Sequence, residues 1–183
     1  MYQTRAILIR RYRLSETSLI IVWLTDHHGK VKTVARGATK QGGVFSGRLE
    51  LFSEAEIGFA LSKKNDLHSL KEVVPSPSWQ AMSSNYLTLL GASYFAELCD
   101  LFTEPVQPVP EIFGLLRRAL VFLSQQAPTV RVIQYFEIEL AKALGIYDPS
   151  LPGEYSLKTL VHRLPETRRG LLEHLREKND LRR

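Results

Sequence analysis

At Val73-Val74-Pro75-Ser76-Pro77-Ser78 the apolar pattern of this chain changes its period, and no other feature constrains the fold as much. Before the break, apolar residues fall in short β-type groups. After it, they recur at spacings of three and four, as in helices that bury one stripe. The two prolines cannot donate backbone hydrogen bonds and interrupt either kind of element. The pattern predicts an α+β chain of two domains, with strands over residues 1–76 and helices over 77–183. With 44% apolar and 23% charged residues in 183, the composition argues against disorder and against a coiled-coil rod.

Five strands are expected before the break, over residues 5–14, 17–25, 30–36, 50–61 and 67–74. Lys30 and Lys32 alternate with Val31 and Thr33, a period of two with a charged outer face. Gly58 marks a kink or bulge in the fourth strand, and Trp23, among apolar neighbours, is expected in the core. Five short strands joined by Gly- and Lys-containing turns suit a Greek-key barrel of the OB type. An SH3-like barrel or half a sandwich fits the same count. Beyond the break, helices are expected over 79–102, 111–126, 130–144, 156–163 and 165–178. The third stops at Gly145, a residue type that favours the turn after a helix.

Charge is distributed unevenly. Residues 1–74 hold twelve Lys and Arg against seven Asp and Glu, whereas residues 75–183 hold twelve of each. A basic excess confined to one domain is the footprint of a polyanion binder. Candidate nucleic-acid contacts are Arg10 and Arg11 on the first strand, Lys30, Lys32 and Arg36 on the third, Lys40 and Arg48 in the following loop, and Lys63 and Lys64 in the last turn. Tyr2, Tyr12, Trp23, Phe45 and Phe52 are the aromatic candidates for stacking on a base, with Phe45, in the glycine-containing loop, favoured.

Catalytic patterns are missing. In Gly37-Ala38-Thr39-Lys40-Gln41-Gly42-Gly43-Val44 the lysine precedes the glycine pair and no Ser or Thr follows it, so the loop fails the geometry of a phosphate-binding P-loop. Adjacent His27 and His28 point apart and lack a third ligand nearby. The single Cys99 cannot form an internal disulfide and is expected in the core. No apolar run nears the roughly 20 residues that span a bilayer, and the N-terminus lacks a signal-peptide pattern. A reduced, cytoplasmic, non-enzymatic protein without cofactor is expected.

Several segments resemble the RecO family of bacterial recombination mediators. They are Ser15-Glu16-Thr17-Ser18-Leu19 with Thr25 and Gly29, Val34-Ala35-Arg36-Gly37-Ala38, Leu49-Glu50-Leu51-Phe52, Asp66-Leu67-His68-Ser69-Leu70, and Phe136-Glu137-Ile138-Glu139-Leu140 with Leu144-Gly145-Ile146. Together they extend over residues 1–150. The resemblance implies an OB-fold barrel followed by an all-helical domain, binding of single- and double-stranded DNA, strand annealing, and help in loading RecA onto strands covered by single-strand-binding protein. Implied partners are RecR, sometimes RecF, and the acidic C-terminal tail of single-strand-binding protein, with Arg117, Arg118 and Arg131 as candidate edges of the tail site. Many family members bind zinc through paired cysteines; with Cys99 alone, zinc is not expected. Residues 151–183 stand where the family's C-terminal helices are expected. Two other classes fit the basic barrel: an adaptor binding an acidic protein, and an RNA-binding OB protein.

Overall fold

The computed structural model describes residues 1–76, 85–105 and 107–180, the last three without side chains. Its first five elements are strands: β1 (Tyr2–Arg13), β2 (Leu19–Thr25), β3 (Lys30–Ala35), β4 (Glu54–Ala60) and β5 (Leu67–Pro75). They close into a barrel in the order β1-β2-β3-β5-β4, with β3 and β5 parallel and the other pairs antiparallel. That order is the five-stranded Greek-key barrel of the OB type, which decides among the three β architectures the strand count allowed.

Closure depends on β1. Residues 2–7 pair with β4 and residues 6–13 with β2, so Ala6 faces both Thr25 and Ala55. The register shifts between Leu8 and Arg10. There the Leu8 N–H donates to Ser53 O at 3.0 Å, and the Phe52 N–H donates to Leu8 O at 2.8 Å. A bulge of this kind bends a strand and increases its twist, which a strand serving both edges of a small barrel needs. A second shift lies between Gly58 and Phe59 in the β4–β5 pairing, where Gly58 was expected to mark an irregularity.

Alternate residues fill the interior. Leu8, Ile21, Trp23, Val31, Ile57, Phe59, Leu70 and Val73 form the core with smaller neighbours, and the Trp23 Nε1–H donates to Thr33 Oγ1 at 2.9 Å. Trp23 is fully buried, as its neighbours predicted. The expected fourth strand begins four residues late. Residues 50–53 instead form a turn in which Phe52 adopts φ 65°, and its side chain is buried.

Helices follow: α1 (Tyr86–Phe102), α2 (Pro110–Gln125), α3 (Val130–Ala143), α4 (Gly153–Lys158) and α5 (Thr167–Asp180). The expected first helical residues, 79–84, lie outside the described residues. By its contacts the chain divides into two compact units. The first takes Met1–Ala81 with Cys99–Arg117, and the second takes Met82–Leu98 with Arg118–Arg183. The first unit therefore adds the end of α1 and the start of α2 to the barrel. At the β2–β3 turn Gly29 has φ +63°, and a Cβ there would meet Gln107 O at 2.0 Å, so this position needs glycine twice over.

In the second unit Thr129 caps α3, its side chain accepting the Val132 N–H at 3.3 Å. The helix ends at a left-handed Gly145. Phe95 and Phe136 stack with centroids 4.1 Å apart. Beside them lies a buried polar network. Tyr94 Oη donates to Glu137 Oε1 at 2.6 Å, and Arg168 Nε donates to the same oxygen at 2.7 Å. Arg168 Nη1 also pairs with Glu154 Oε2 at 2.6 Å. Burial pushes the Tyr94 hydroxyl pKa well up, and the adjacent Glu137 carboxylate adds to it, so the hydroxyl stays a proton donor. Glu137 is 1% exposed and depends on these two partners. Arg168→Ala leaves that carboxylate without its countercharge and is expected to destabilise the protein by about 3–5 kcal/mol, read from denaturant unfolding followed by far-UV circular dichroism.

Candidate nucleic-acid interface

The connection from β3 to β4, residues 36–53, carries exposed basic side chains of the first unit. Parallel pairing of β3 with β5 forces this segment to cross the end of the barrel before β4 can begin. It does so through successive four-residue turns: the Lys40 N–H donates to Gly37 O, Gly43 to Lys40 O, Ser46 to Gly43 O and Arg48 to Phe45 O, all at 2.9–3.1 Å. A Cβ at Gly43 would approach Gly37 O to 2.9 Å. Thr39 fastens the segment to the β1–β2 loop, its Oγ1 donating to Glu16 O at 2.8 Å. Phe45 and Leu49 turn inward and plug the barrel end.

That packing corrects the expectation for Phe45. Its ring is 6% exposed and belongs to the barrel core, so neither face is available to a base. An aromatic ring in a crossing loop packs wherever apolar volume must be filled, and here the open barrel end supplies it.

Around this plug lies a cavity of about 390 Å³, lined by Arg36, Lys40 and Lys71 with the backbone of Gly37 and Gly43. All three cations are exposed, and among the described residues none has a carboxylate partner. The sequence reading named Arg36 and Lys40 and missed Lys71. Its signal was there: Leu70 points into the core and Lys71, one residue on in β5, must point out.

The remaining candidates are held differently. On the outer face of β1–β3, Arg10, Lys30 and Lys32 share a cavity of about 470 Å³ with Tyr12, Ile20, Asp66 and Asp100. There the cations are matched by carboxylates. Lys30 Nζ lies 3.0 Å from Asp100 Oδ1 and donates to Asp100 O at 2.6 Å, Arg10 Nη2 lies 3.2 Å from Asp100 Oδ2, and Lys32 Nζ lies 3.3 Å from Asp66 Oδ2. The Lys30 side chain is only 13% exposed. Tyr12, by contrast, is 46% exposed, and Arg10 Nη1 donates to its hydroxyl at 2.9 Å. It is the aromatic ring in the lining of this cavity, and it was one of the sequence candidates for stacking, where Phe45 was favoured.

Arg11 and Arg48 stay on the surface but donate to backbone carbonyls, of Leu49 at 2.9 Å and Val73 at 3.2 Å. Lys63 and Lys64 are exposed in the β4–β5 turn, away from the lining of either cavity. Arg117 belongs to the first unit and pairs with the buried Glu54 at 2.8 Å, so it is a structural partner. Arg118 and Arg131 are exposed on α2 and α3 of the second unit. Cys99 is fully buried, and burial pushes its thiol pKa well up. A lone protonated thiol does not fit a zinc site, which needs several deprotonated ligands. No group of three or more His, Cys, Asp and Glu among the described residues could hold a metal ion, and none of the described helices is long and apolar enough to cross a membrane.

A closed five-stranded barrel of this order, followed by helices, defines the class of OB-fold proteins with a helical C-terminal part. The comparisons with known proteins narrow that class. The recombination protein O N-terminal family matches residues 1–78, and the recombination protein O C-terminal family matches residues 83–151. The DNA repair protein RecO of Clostridium novyi is 29% identical over 146 residues, which is 79% of this chain and 56% of the relative. That of Desulfitobacterium hafniense is 30% identical over 151 residues, 82% of this chain and 54% of the relative. That of Dehalococcoides mccartyi is 31% identical over 150 residues, 82% and 58% respectively. The chain belongs to the RecO family. It spans a little over half the length of these relatives.

The two kinds of cation predict opposite behaviour on truncation. Lys30→Ala strips Asp100 of its closest partner in a half-buried setting and is expected to cost about 1–3 kcal/mol. Alanine at Arg36, Lys40 and Lys71 together is expected to leave the melting temperature unchanged. Thermal denaturation of both variants distinguishes the structural lysine from the open cavity.

Proposed function

We propose that this chain acts in DNA repair as a non-enzymatic, DNA-binding recombination mediator of the bacterial cytoplasm. On this reading, residues 1–76 form the nucleic-acid-binding domain and residues 77–183 the helical domain. The observation that carries it is the cavity of Arg36, Lys40 and Lys71, three cations that no acidic side chain among the described residues neutralises. Such a surface holds phosphates by charge and is indifferent to sequence. Tyr12 adds a ring on which an unpaired base can stack, which favours strands with unstacked bases. The names of the relatives, all DNA repair proteins, supply the biological setting.

Annealing of complementary strands and assistance to RecA on strands covered by single-strand-binding protein are the activities proposed for that surface. RecR is a proposed partner, and so is the acidic tail of single-strand-binding protein. Arg118 and Arg131 are the proposed contacts for the tail, since Arg117 is occupied by Glu54.

Fluorescence anisotropy of a labelled single-stranded oligonucleotide, titrated over a range of salt, tests the reading. Binding is expected to weaken steeply with salt. Replacing Arg36, Lys40 and Lys71 with alanine is expected to reduce the slope of log K against log salt by about 2, at roughly 0.7 per phosphate contact. An unchanged slope in the triple variant removes the cavity as the DNA site. Preference for RNA over DNA of equal length, or for an acidic peptide over either, points to the RNA-binding or adaptor class instead.

A further inference from the structure

Residues 152–180 lie beyond both family matches, and they form a second basic cavity, of about 480 Å³, entirely within the helical unit. Five cations line it: Lys158 at the end of α4, Arg163 in the connection, and Arg168, Arg169 and Arg176 on α5. Glu166 and Glu173 are the only carboxylates in the lining. The placement follows from helix periodicity. Arg169, Leu172, Glu173 and Arg176 stand at i, i+3, i+4 and i+7, one stripe of α5.

Four of the five cations have carboxylate partners, but they are not held equally: Lys158 Nζ lies 3.7 Å from Glu154 Oε2, a carboxylate it shares with Arg168. Arg168 is committed, held by Glu137 and Glu154, and forms a fixed wall. Arg163 meets Glu166 at 2.9 Å and Arg169 meets Glu173 at 3.5 Å, but all four side chains are more than half exposed. Such pairs exchange readily for another anion. Arg176 is exposed and has no carboxylate partner among the described residues.

We propose that this cavity is a second site for the phosphate backbone of a nucleic-acid strand, separate from the barrel site. Four of its five cations are arginines, whose planar forks bind phosphate oxygens in pairs. No Phe, Tyr or Trp lines it and His162 is its one ring, so cations able to hold phosphates outnumber rings able to stack on bases by five to one. Its apolar lining is Leu164, 6% exposed, with the half-buried Pro165 and Leu172, and five cations outnumber these three, which favours a polyanion over an acidic apolar peptide. The proposal rests on the DNA-binding reading above and deepens it: one chain would hold two strands.

Stoichiometric titration of the full chain with a single-stranded oligonucleotide of about 8 nucleotides, within the range of one OB-type site, tests this. Variants R36A/K40A/K71A and R169A/R176A are compared with the unaltered chain. Arg168 is kept because it supports Glu137. Two oligonucleotides per chain are expected, with one lost in each variant. The strand retained by R36A/K40A/K71A is expected to be lost when R169A/R176A is added. One oligonucleotide per chain, lost in R36A/K40A/K71A and kept in R169A/R176A, overturns the second site while the barrel reading stands. The reverse pattern keeps the second site and overturns the barrel reading. Binding at the second site that inorganic triphosphate or an acidic peptide displaces at lower concentration than a competing oligonucleotide also overturns the proposal, in favour of a small phosphate compound or a protein partner.

Discussion

Hydrogen bonding of β1 along both of its edges is the constraint from which the first unit follows. One strand of twelve residues can serve two neighbours only if it bends, and the register shift at Leu8 and Arg10 lets it do so. The Leu8 amide and carbonyl are then satisfied by the turn before β4. Once β1 joins β2 to β4, β5 is left to close the barrel against β3 in parallel, and the chain must cross the barrel end to begin β4. The crossing needs apolar plugs on one side and tolerates any soluble side chain on the other. Phe45 and Leu49 supply the first; Arg36 and Lys40 occupy the second.

The same logic explains how charge was sorted. A cation beside a helix end or a sheet face meets carboxylates brought there by the fold, and Lys30, Arg10 and Arg117 are matched in this way. A cation on a crossing loop meets none. Of the positive charges in the barrel half of the sequence, those on β1 and β3 largely support packing, and those around the loop remain open to a ligand. Net charge along the sequence thus overstates the charge offered to solution.

Much of the architecture was legible because periods of two and of three to four are imposed by backbone geometry. The switch near Pro75, the burial of Trp23, the irregularity at Gly58 and the end of α3 at Gly145 could all be read from residue type and spacing. The candidate site was legible in part. Arg36 and Lys40 stand out as cations beside glycines, but the pairing of Lys30 with Asp100 joins residues 70 apart in sequence, and no local pattern announces it. Phe45 shows the same limit from the other direction, since a ring among glycines reads as exposed until the barrel end it fills is known. Lys71 was legible as an outward cation from the alternation of β5, but its place beside Arg36 and Lys40 depends on the β3–β5 pairing, which no local pattern announces.

The burial of Cys99 has a practical side. A thiol with no solvent exposure and a raised pKa is almost wholly protonated at neutral pH and shielded from maleimides and disulfide reagents. The native chain therefore behaves chemically as if it had no cysteine. A single cysteine introduced at the tip of the β4–β5 turn or on the exposed face of α5 can carry a fluorophore without any background substitution. Labels placed on the two units one at a time would allow strand occupancy to be followed separately on each, in an otherwise unaltered molecule.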